Sequence, residues 1–157
     1  RAVHEVNEKQ KTVVFEKIKK HFRGNLKDKT VGIWGLSFKP MTDDMREAPS
    51  VSLINALLEA ICRVKAYDPV ASHEASKIFE SRIHICSEAY EAIQGADVLA
   101  IMTEWNEFRS PDFELLKSKL KASAIFDGRN LFNPESVKAA GLNYYSIGRP
   151  DPEVNNL

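Results

Sequence analysis

Residues 30–36 read Thr-Val-Gly-Ile-Trp-Gly-Leu, a run of mostly apolar residues that contains two glycines. Apolar residues at successive positions are typical of a strand that is covered on both faces, as strands are in a parallel sheet. The segment therefore predicts a buried strand over residues 30–36, and what surrounds it decides the fold class.

Short β-rich runs alternate with helical segments along the rest of the chain. Further strands are predicted at residues 63–67, 83–86, 98–103, 124–127 and 144–147, and helices at 49–61, 72–80, 87–94, 112–121 and 134–140. Alternation of this kind implies parallel pairing through right-handed crossovers. The predicted fold is α/β, an open, doubly wound, mostly parallel, Rossmann-like sheet.

A long amphipathic helix is predicted before the first strand. Residues 1–22 contain no Gly or Pro and space their apolar side chains three or four residues apart among charges, at Val3, Val6, Val13, Val14, Ile18 and Phe22. Gly24-Asn25 is expected to end this helix.

Composition excludes several classes of partner. The chain has 157 residues, enough for one core, and its 22 Lys and Arg are balanced by 22 Asp and Glu. No net field therefore draws it to nucleic acid or to an anionic membrane. Because it has neither an apolar run of about eighteen residues nor a signal-peptide pattern, we expect a cytoplasmic protein. The missing initiator Met suggests that residue 1 lies inside a longer chain.

No metal site is predicted. Cys62 and Cys86 lack the spacing of metal ligands, and the four histidines are scattered at positions 4, 21, 73 and 84. Each cysteine is expected to pack as a small buried hydrophobe. Asp68, followed by Pro69, is expected to form a turn, and Trp105 to pack in the core or at its rim.

The segment after the first strand is unusually long, with about a dozen residues before the next helix, where about four to six are usual. It is not the dinucleotide fingerprint, because its third glycine is missing. Lys39 precedes Pro40, which stiffens the turn that presents the ammonium group, and Arg46 offers a planar fork that suits phosphate. Spacing alone favours a solvated surface ion-pair cluster with Asp43 and Asp44.

Five strings, read together, resemble the C-terminal domain of the UDP-glucose and GDP-mannose dehydrogenase family. They are GLSFKPMTDDMREAPS at 35–50, KAYDPVA at 65–71, DVLAIMTEWNEF at 97–108, FDGRN at 126–130 and YYSIGRP at 144–150. The resemblance covers nearly the whole chain. DGRN and TEWNEF are more similar to the UDP-glucose branch.

The resemblance implies a function. The family oxidises the C6 hydroxyl of a nucleotide sugar with two NAD. Phe38, Lys39 and Arg129 match residues that contact the nucleotide sugar, here UDP-glucose, and Arg46 matches the arginine that reaches NAD across a cleft. Neither a GxGxxG unit nor the segment with the nucleophilic cysteine occurs here, so the isolated chain is expected to be inactive and to contain no catalytic residue.

The resemblance also implies how the chain is divided. Residues 1–23 are expected to end a connecting helix, and residues 24–157 to form the UDP-sugar-binding domain. The expected partners are the N-terminal and central domains of the longer chain and further copies of it, as a homodimer or higher homo-oligomer.

Other functions stay open at this point. The substrate can be another nucleotide sugar, of the GDP-mannose or UDP-N-acetylmannosamine type. The chain can be a non-catalytic regulatory domain, such as a phospho-acceptor receiver that uses Asp43, Asp44 and Asp68, or an assembly domain that uses residues 1–22. The sugar-nucleotide hypothesis requires Lys39 and Arg129 to meet over one patch, with neither buried against an acidic partner.

Overall fold

The computed structural model describes the backbone of residues 2–152 and the side chains of residues 11–152. Six strands alternate with helices in chain order. The strands are β1 (Thr30–Trp34), β2 (Arg63–Tyr67), β3 (His84–Ile85), β4 (Val98–Ile101), β5 (Ala124–Asp127) and β6 (Asn143–Ser146). The helices are α1 (Ala2–His21), α2 (Pro49–Glu59), α3 (Ser72–Phe79), α4 (Phe113–Lys119) and α5 (Pro134–Ala139), and three 3-10 turns lie at Glu80–Arg82, Tyr90–Ile93 and Asn106–Phe108.

The six strands form one sheet in the order β3-β2-β1-β4-β5-β6, and every strand pair is parallel. Val31 of β1, for example, lies in register with Val64 of β2 on one side and Val98 of β4 on the other. The predicted doubly wound, Rossmann-like sheet is therefore confirmed. A receiver domain has the different order 2-1-3-4-5, so the structure does not have that architecture.

Apolar side chains cover both faces of the sheet. Val31 and Ile33 of β1 point into one core with residues of α1, α2 and α3, whereas Trp34 points into a second core with residues of α4 and α5. Because successive residues of a strand face opposite ways, a sheet buried on both sides needs unbroken apolar runs. All residues of β4 and β5 are buried, as this rule requires.

Helix α1 contributes to the first core through its C-terminal half. Val14 and Ile18 are buried there, and the helix packs against α2 and β5. The side chains of Val3 and Val6, used to predict the amphipathic pattern, lie outside the described residues. The division between residues 1–23 and 24–157 stays a prediction. Within the described residues, no helix has the length and apolar character needed to cross a bilayer.

The segment 87–94, predicted as an α-helix, forms only a 3-10 turn at Tyr90–Ile93. Its backbone lies close against β1: a Cβ atom on Gly32 would stand 2.5 Å from the Ala92 carbonyl oxygen. The indole Nε1 of Trp34 also donates to the Ala89 carbonyl at 2.7 Å. These contacts hold the segment close against β1 in the tighter 3-10 geometry.

Candidate functional site

The long connection after β1 lies at the carboxyl ends of the parallel strands, between the ends of β2 and β4. Ligands of doubly wound sheets bind at this edge, where the order of strands reverses. Here that reversal falls between β1 and β4, which are neighbours in the sheet although two other strands separate them in the chain. Phe38 and Lys39 follow β1, Glu104 follows β4 and Arg129 follows β5.

Asp68, at the end of β2, fixes the start of this connection. Its buried Oδ2 accepts hydrogen bonds from the backbone N–H groups of Leu36 and Ser37, at 2.7 and 3.2 Å, and from Trp105 Nε1 at 3.1 Å. Its Oδ1 accepts from the N–H groups of Val70 and Ala71. The predicted turn is therefore present, and Asp68 also joins the segments that follow β1 and β4.

The connection folds back on itself beyond Ser37. The Phe38 N–H donates to the Asp44 carbonyl at 2.8 Å, and Ser37 Oγ donates to the Lys39 carbonyl at 2.9 Å. Phe38 keeps 47% of its surface exposed, and Lys39 is exposed as well. Within the described residues, Lys39 Nζ has neither a hydrogen bond nor an ion pair, so its charge is available at the sheet edge.

Arg129 reaches the same connection from β5. Its Nη2 lies 3.4 Å from the carbonyl oxygen of Phe38, the residue that precedes Lys39. Its backbone N–H donates to Asp127 Oδ1 at 2.9 Å, which fixes the turn that presents the side chain. The structure thus brings the segments of the three predicted substrate-contacting residues, Phe38, Lys39 and Arg129, to one edge of the sheet.

The structure gives Arg129 an acidic partner that the sequence did not predict. Glu104 Oε1 accepts from Arg129 Nε at 2.9 Å, and Nη2 lies 2.8 Å from the same oxygen in an ion pair. The side chains of Arg129 and Glu104 are 28% and 34% exposed, so the pair is partly exposed. The exposed part of the guanidinium group stays accessible to a ligand. Arg129 therefore has a partly exposed acidic neighbour, and the substrate-binding roles of Lys39 and Arg129 stay predictions.

A cavity of about 310 Å³ adjoins this pair, and α1 closes one side of it. Its lining combines apolar groups with the charged pair and an amide, from Val14, Pro49, Met102, Glu104, Arg129 and Asn130. Such a mixture of apolar walls and a few polar groups is typical of small-molecule sites.

Arg46 lies elsewhere on the same edge. It contributes to a shallow hollow with Asp44, Glu74 and Ile78, and its side chain is 89% exposed. Its Nε and Nη2 donate to the two carboxylate oxygens of Asp44. The structure therefore separates Arg46 from the Glu104–Arg129 pair, and it also contains the local ion pair that spacing alone allowed.

Comparison with known proteins identifies the family. Residues 32–134 match the family described as "UDP-glucose/GDP-mannose dehydrogenase family, UDP binding domain". The chain belongs to this family. The match begins in β1 and ends at the start of α5, so it includes the connection after β1 and the turn that carries Arg129.

Named relatives in this dehydrogenase family support the same assignment. The chain is 41% identical to the UDP-glucose 6-dehydrogenase of Pseudomonas aeruginosa over 155 residues, which cover 96% of the chain and 34% of that protein. It is also 41% identical to the Bacillus subtilis UDP-glucose 6-dehydrogenase TuaD, covering 95% of the chain and 32% of the relative. The chain thus spans about a third of the length of these curated relatives.

Solved structures agree on the fold. A UDP-glucose dehydrogenase from Pyrobaculum islandicum superimposes with a TM-score of 0.77 at 26% identity, covering 92% of this chain and 31% of that one. A GDP-mannose dehydrogenase from Pseudomonas aeruginosa superimposes with a TM-score of 0.63 at 24% identity, covering 82% of this chain and 30% of that one. The second likeness shows only a shared fold.

Of the two cysteines of this family member, Cys62 precedes β2 at the amino ends of the strands, and Cys86 follows β3, the outermost strand of the sheet. Both are buried and unbonded to each other, and burial raises the pKa of Cys62 and of Cys86 to about 11. A thiol that stays protonated is a poor nucleophile. The expectation that both pack as small hydrophobes is confirmed by their places in the core.

One cluster of potential metal ligands was not foreseen. Ligand atoms of His84, Cys86 and Glu91 all lie within 4.8 Å of one another. Glu91 already accepts from the Ser87 N–H at 2.9 Å and lies 3.3 Å from His84 Nε2, so these polar contacts explain its place. That the chain holds no metal stays a prediction.

Proposed function

We propose that this chain is the nucleotide-sugar-binding C-terminal domain of a UDP-glucose 6-dehydrogenase, whose full-length form oxidises UDP-glucose to UDP-glucuronate with two NAD. The observation that carries the proposal is the approach of Arg129 to the Phe38 carbonyl, beside the exposed Lys39. It supports a site where two cations from different strand ends meet one diphosphate.

The chemistry of the three side chains fits such a ligand. The guanidinium group of Arg129 offers paired N–H donors that suit phosphate oxygens, and the Lys39 ammonium adds a point charge. The half-exposed ring of Phe38 offers an apolar surface at the same sheet edge. Affinity for the isolated chain is expected to be modest, because the other domains supply the remaining contacts.

Titration of the 157-residue chain with UDP and UDP-glucose by calorimetry tests the proposal. We expect Lys39→Ala and Arg129→Ala each to weaken binding about fivefold or more, because each removes a charge-assisted hydrogen bond. Lys27→Ala and Arg63→Ala are matched controls, because both residues are exposed and lie next to the amino ends of β1 and β2. They should leave the affinity unchanged. No heat with folded wild-type chain at millimolar ligand would refute the proposal.

The same titration distinguishes between the candidate nucleotides. A UDP-glucose enzyme should bind UDP more tightly than GDP in this assay, whereas a preference for GDP would favour the GDP-mannose branch. UDP-N-acetylmannosamine, tested beside UDP-glucose, separates the remaining alternative.

For the cofactor, we propose that Arg46 reaches the pyrophosphate of NAD bound on the N-terminal domain of the longer chain. Its exposure and its planar fork support this role. In the full-length enzyme, Arg46→Ala should raise the KM for NAD and leave the KM for UDP-glucose near its wild-type value. A change in the KM for UDP-glucose alone would contradict the assignment.

We further propose that the full-length protein acts in the cytoplasm as a homodimer or higher homo-oligomer. Residues 1–23 would join this domain to the central domain, and the cleft that Arg46 crosses would lie between this domain and the N-terminal domain. Sedimentation of the full-length protein would measure its oligomeric state, and fractionation of its source cells would test the location.

A further inference from the structure

We propose that Glu104 is a positioning residue, which holds the guanidinium group of Arg129 by one edge and leaves the other edge for an anionic ligand. This inference rests on the proposed function and assigns a role to a residue that the sequence did not single out. It makes a resident carboxylate part of a phosphate-binding site.

Glu104 is itself fixed by its two neighbours. Thr103 Oγ1 donates to the Ser37 carbonyl at 2.6 Å, and Trp105 Nε1 donates to Asp68 Oδ2 at 3.1 Å. Thr103, Ser37, Trp105 and Asp68 are all buried. The backbone on each side of Glu104 is therefore tied to the segments after β1 and β2, so the place of its carboxylate is set by the fold.

Arg129 is held along one edge. Nε donates to Glu104 Oε1 at 2.9 Å, Nη2 lies 2.8 Å from the same oxygen, and Nη2 also donates to the Phe38 carbonyl at 3.4 Å. Within the described residues, Nη1 has no partner. A phosphate that takes two donors from an arginine can use the Nη1–Nη2 edge, where it would replace the long contact with the Phe38 carbonyl, while Glu104 keeps the Nε side.

Two opposing effects decide the sign of the Glu104 contribution. A carboxylate near the site repels a diphosphate, but water and salt reach the partly exposed Glu104 and screen this repulsion. Fixing a free arginine costs more side-chain entropy than fixing almost any other residue, and Glu104 orders Arg129 before the ligand arrives. We infer that ordering outweighs repulsion, so that Glu104 increases affinity.

Two substitutions of Glu104 distinguish the ordering of Arg129 from the repulsion of the ligand. Glu104→Ala removes the acceptor and the charge together, whereas Glu104→Gln keeps an amide oxygen that can accept from Nε and Nη2. We expect Glu104→Ala to weaken UDP binding about three- to tenfold, and Glu104→Gln to stay within about twofold of the wild type. In an Arg129→Ala background, Glu104→Ala should have no further effect, since nothing is left to position.

NMR of the Arg129 Nε–Hε group, identified by its loss in Arg129→Lys, adds a ligand-free readout. Its exchange with solvent should be slow in the wild type and Glu104→Gln, and faster in Glu104→Ala. Glu114→Ala, which changes an exposed acid on α4, should alter neither exchange nor affinity. Thermal melting by circular dichroism establishes that each variant is folded.

Each adverse result has a distinct meaning. Tighter UDP binding by both Glu104 variants would overturn the inference, because the carboxylate would then only repel the ligand. An equal loss of UDP affinity on Glu104→Ala in the wild-type and the Arg129→Ala backgrounds would also overturn it, since Glu104 would then act on the fold alone. Wild-type chain with slow Nε–Hε exchange but no UDP binding would refute the proposed function, and the ligand role of Glu104 with it.

Discussion

Arg46 and Asp44 form a two-point ion pair at the protein surface, with Nε and Nη2 of the arginine 3.0 and 2.9 Å from the two carboxylate oxygens. The Arg46 backbone N–H adds a third bond to Asp44 Oδ1 at 2.9 Å. Arginine and carboxylate match in this fork geometry, so a side chain with 89% exposure is held in one direction. That direction is set by Asp44, two residues away in the chain.

The Asp44 carboxyl is predicted to titrate unusually low. Side-chain and backbone hydrogen bonds from Arg46 lower the pKa of Asp44 from 3.8 to about 2. Because the folded-state pKa is depressed, the pair stabilises the fold above pH 4 and this contribution is lost as the pH falls towards 2. NMR titration of the side-chain carboxyl carbon should give this value, and Arg46→Ala should return it towards 3.8. A wild-type value near 3.8 would show that the pair does not form in solution.

Gly35 is predicted to be irreplaceable at the exit of β1. Its φ is +99°, and a Cβ atom there would stand 2.5 Å from the Thr103 backbone nitrogen. Gly35→Ala should therefore lower the free energy of unfolding by about 3 kcal/mol or more, through left-handed strain and a backbone clash. Gly24→Ala is the matched control, since its φ is +81° and nothing lies within 4 Å of the added Cβ. It should cost about 1 kcal/mol in urea denaturation. Equal losses of unfolding free energy in the two variants would contradict a role for the contact with Thr103.

The positions of the strands in the chain were predictable because burial on both faces requires runs of apolar residues. Val31, Ile33 and Trp34 are apolar at nearly successive positions, and all are buried in the sheet. The sheet edge that carries Lys39 and Arg129 was predictable as well, because parallel strands bring their carboxyl ends together. Each of these inferences uses only local pattern and general topology.

The contacts between loops were not predictable in the same way. Glu104 and Arg129 are 25 residues apart, and their pairing depends on β4 lying next to β5. Asp68, which follows β2, predicted a turn. The hydrogen bonds that it accepts from Leu36 and Trp105, however, depend on the order of the strands. Charge and spacing show which groups need partners, whereas tertiary placement decides which partners they find.

Asp68→Asn is predicted to destabilise the chain strongly. The carboxylate is 2% exposed, and both of its oxygens accept hydrogen bonds from N–H donors of three separate segments. An amide replaces one acceptor by an NH₂ group that faces those donors, so we expect a loss of about 2–4 kcal/mol in urea denaturation. Asp43→Asn, on an exposed residue of the same sheet edge, is the control and should change the stability by less than about 0.5 kcal/mol. A small effect of Asp68→Asn would mean that the network is not needed for folding.

The two thiols are predicted to be unreactive in the folded chain. Burial raises the pKa of Cys62 and of Cys86 to about 11, and both side chains are nearly inaccessible. At pH 8, reaction with a disulfide reagent such as DTNB should be about a hundredfold slower than in urea, where both thiols react freely. Because the folded-state pKa values are raised, the stability that the protonated thiols contribute is present below pH 9 and is lost as the pH rises towards 11. Cys62→Ala and Cys86→Ala assign the residual rate to one thiol or the other. A thiol that reacts rapidly in folded chain would have to be accessible and ionised, which would reopen the question of a nucleophile in this domain.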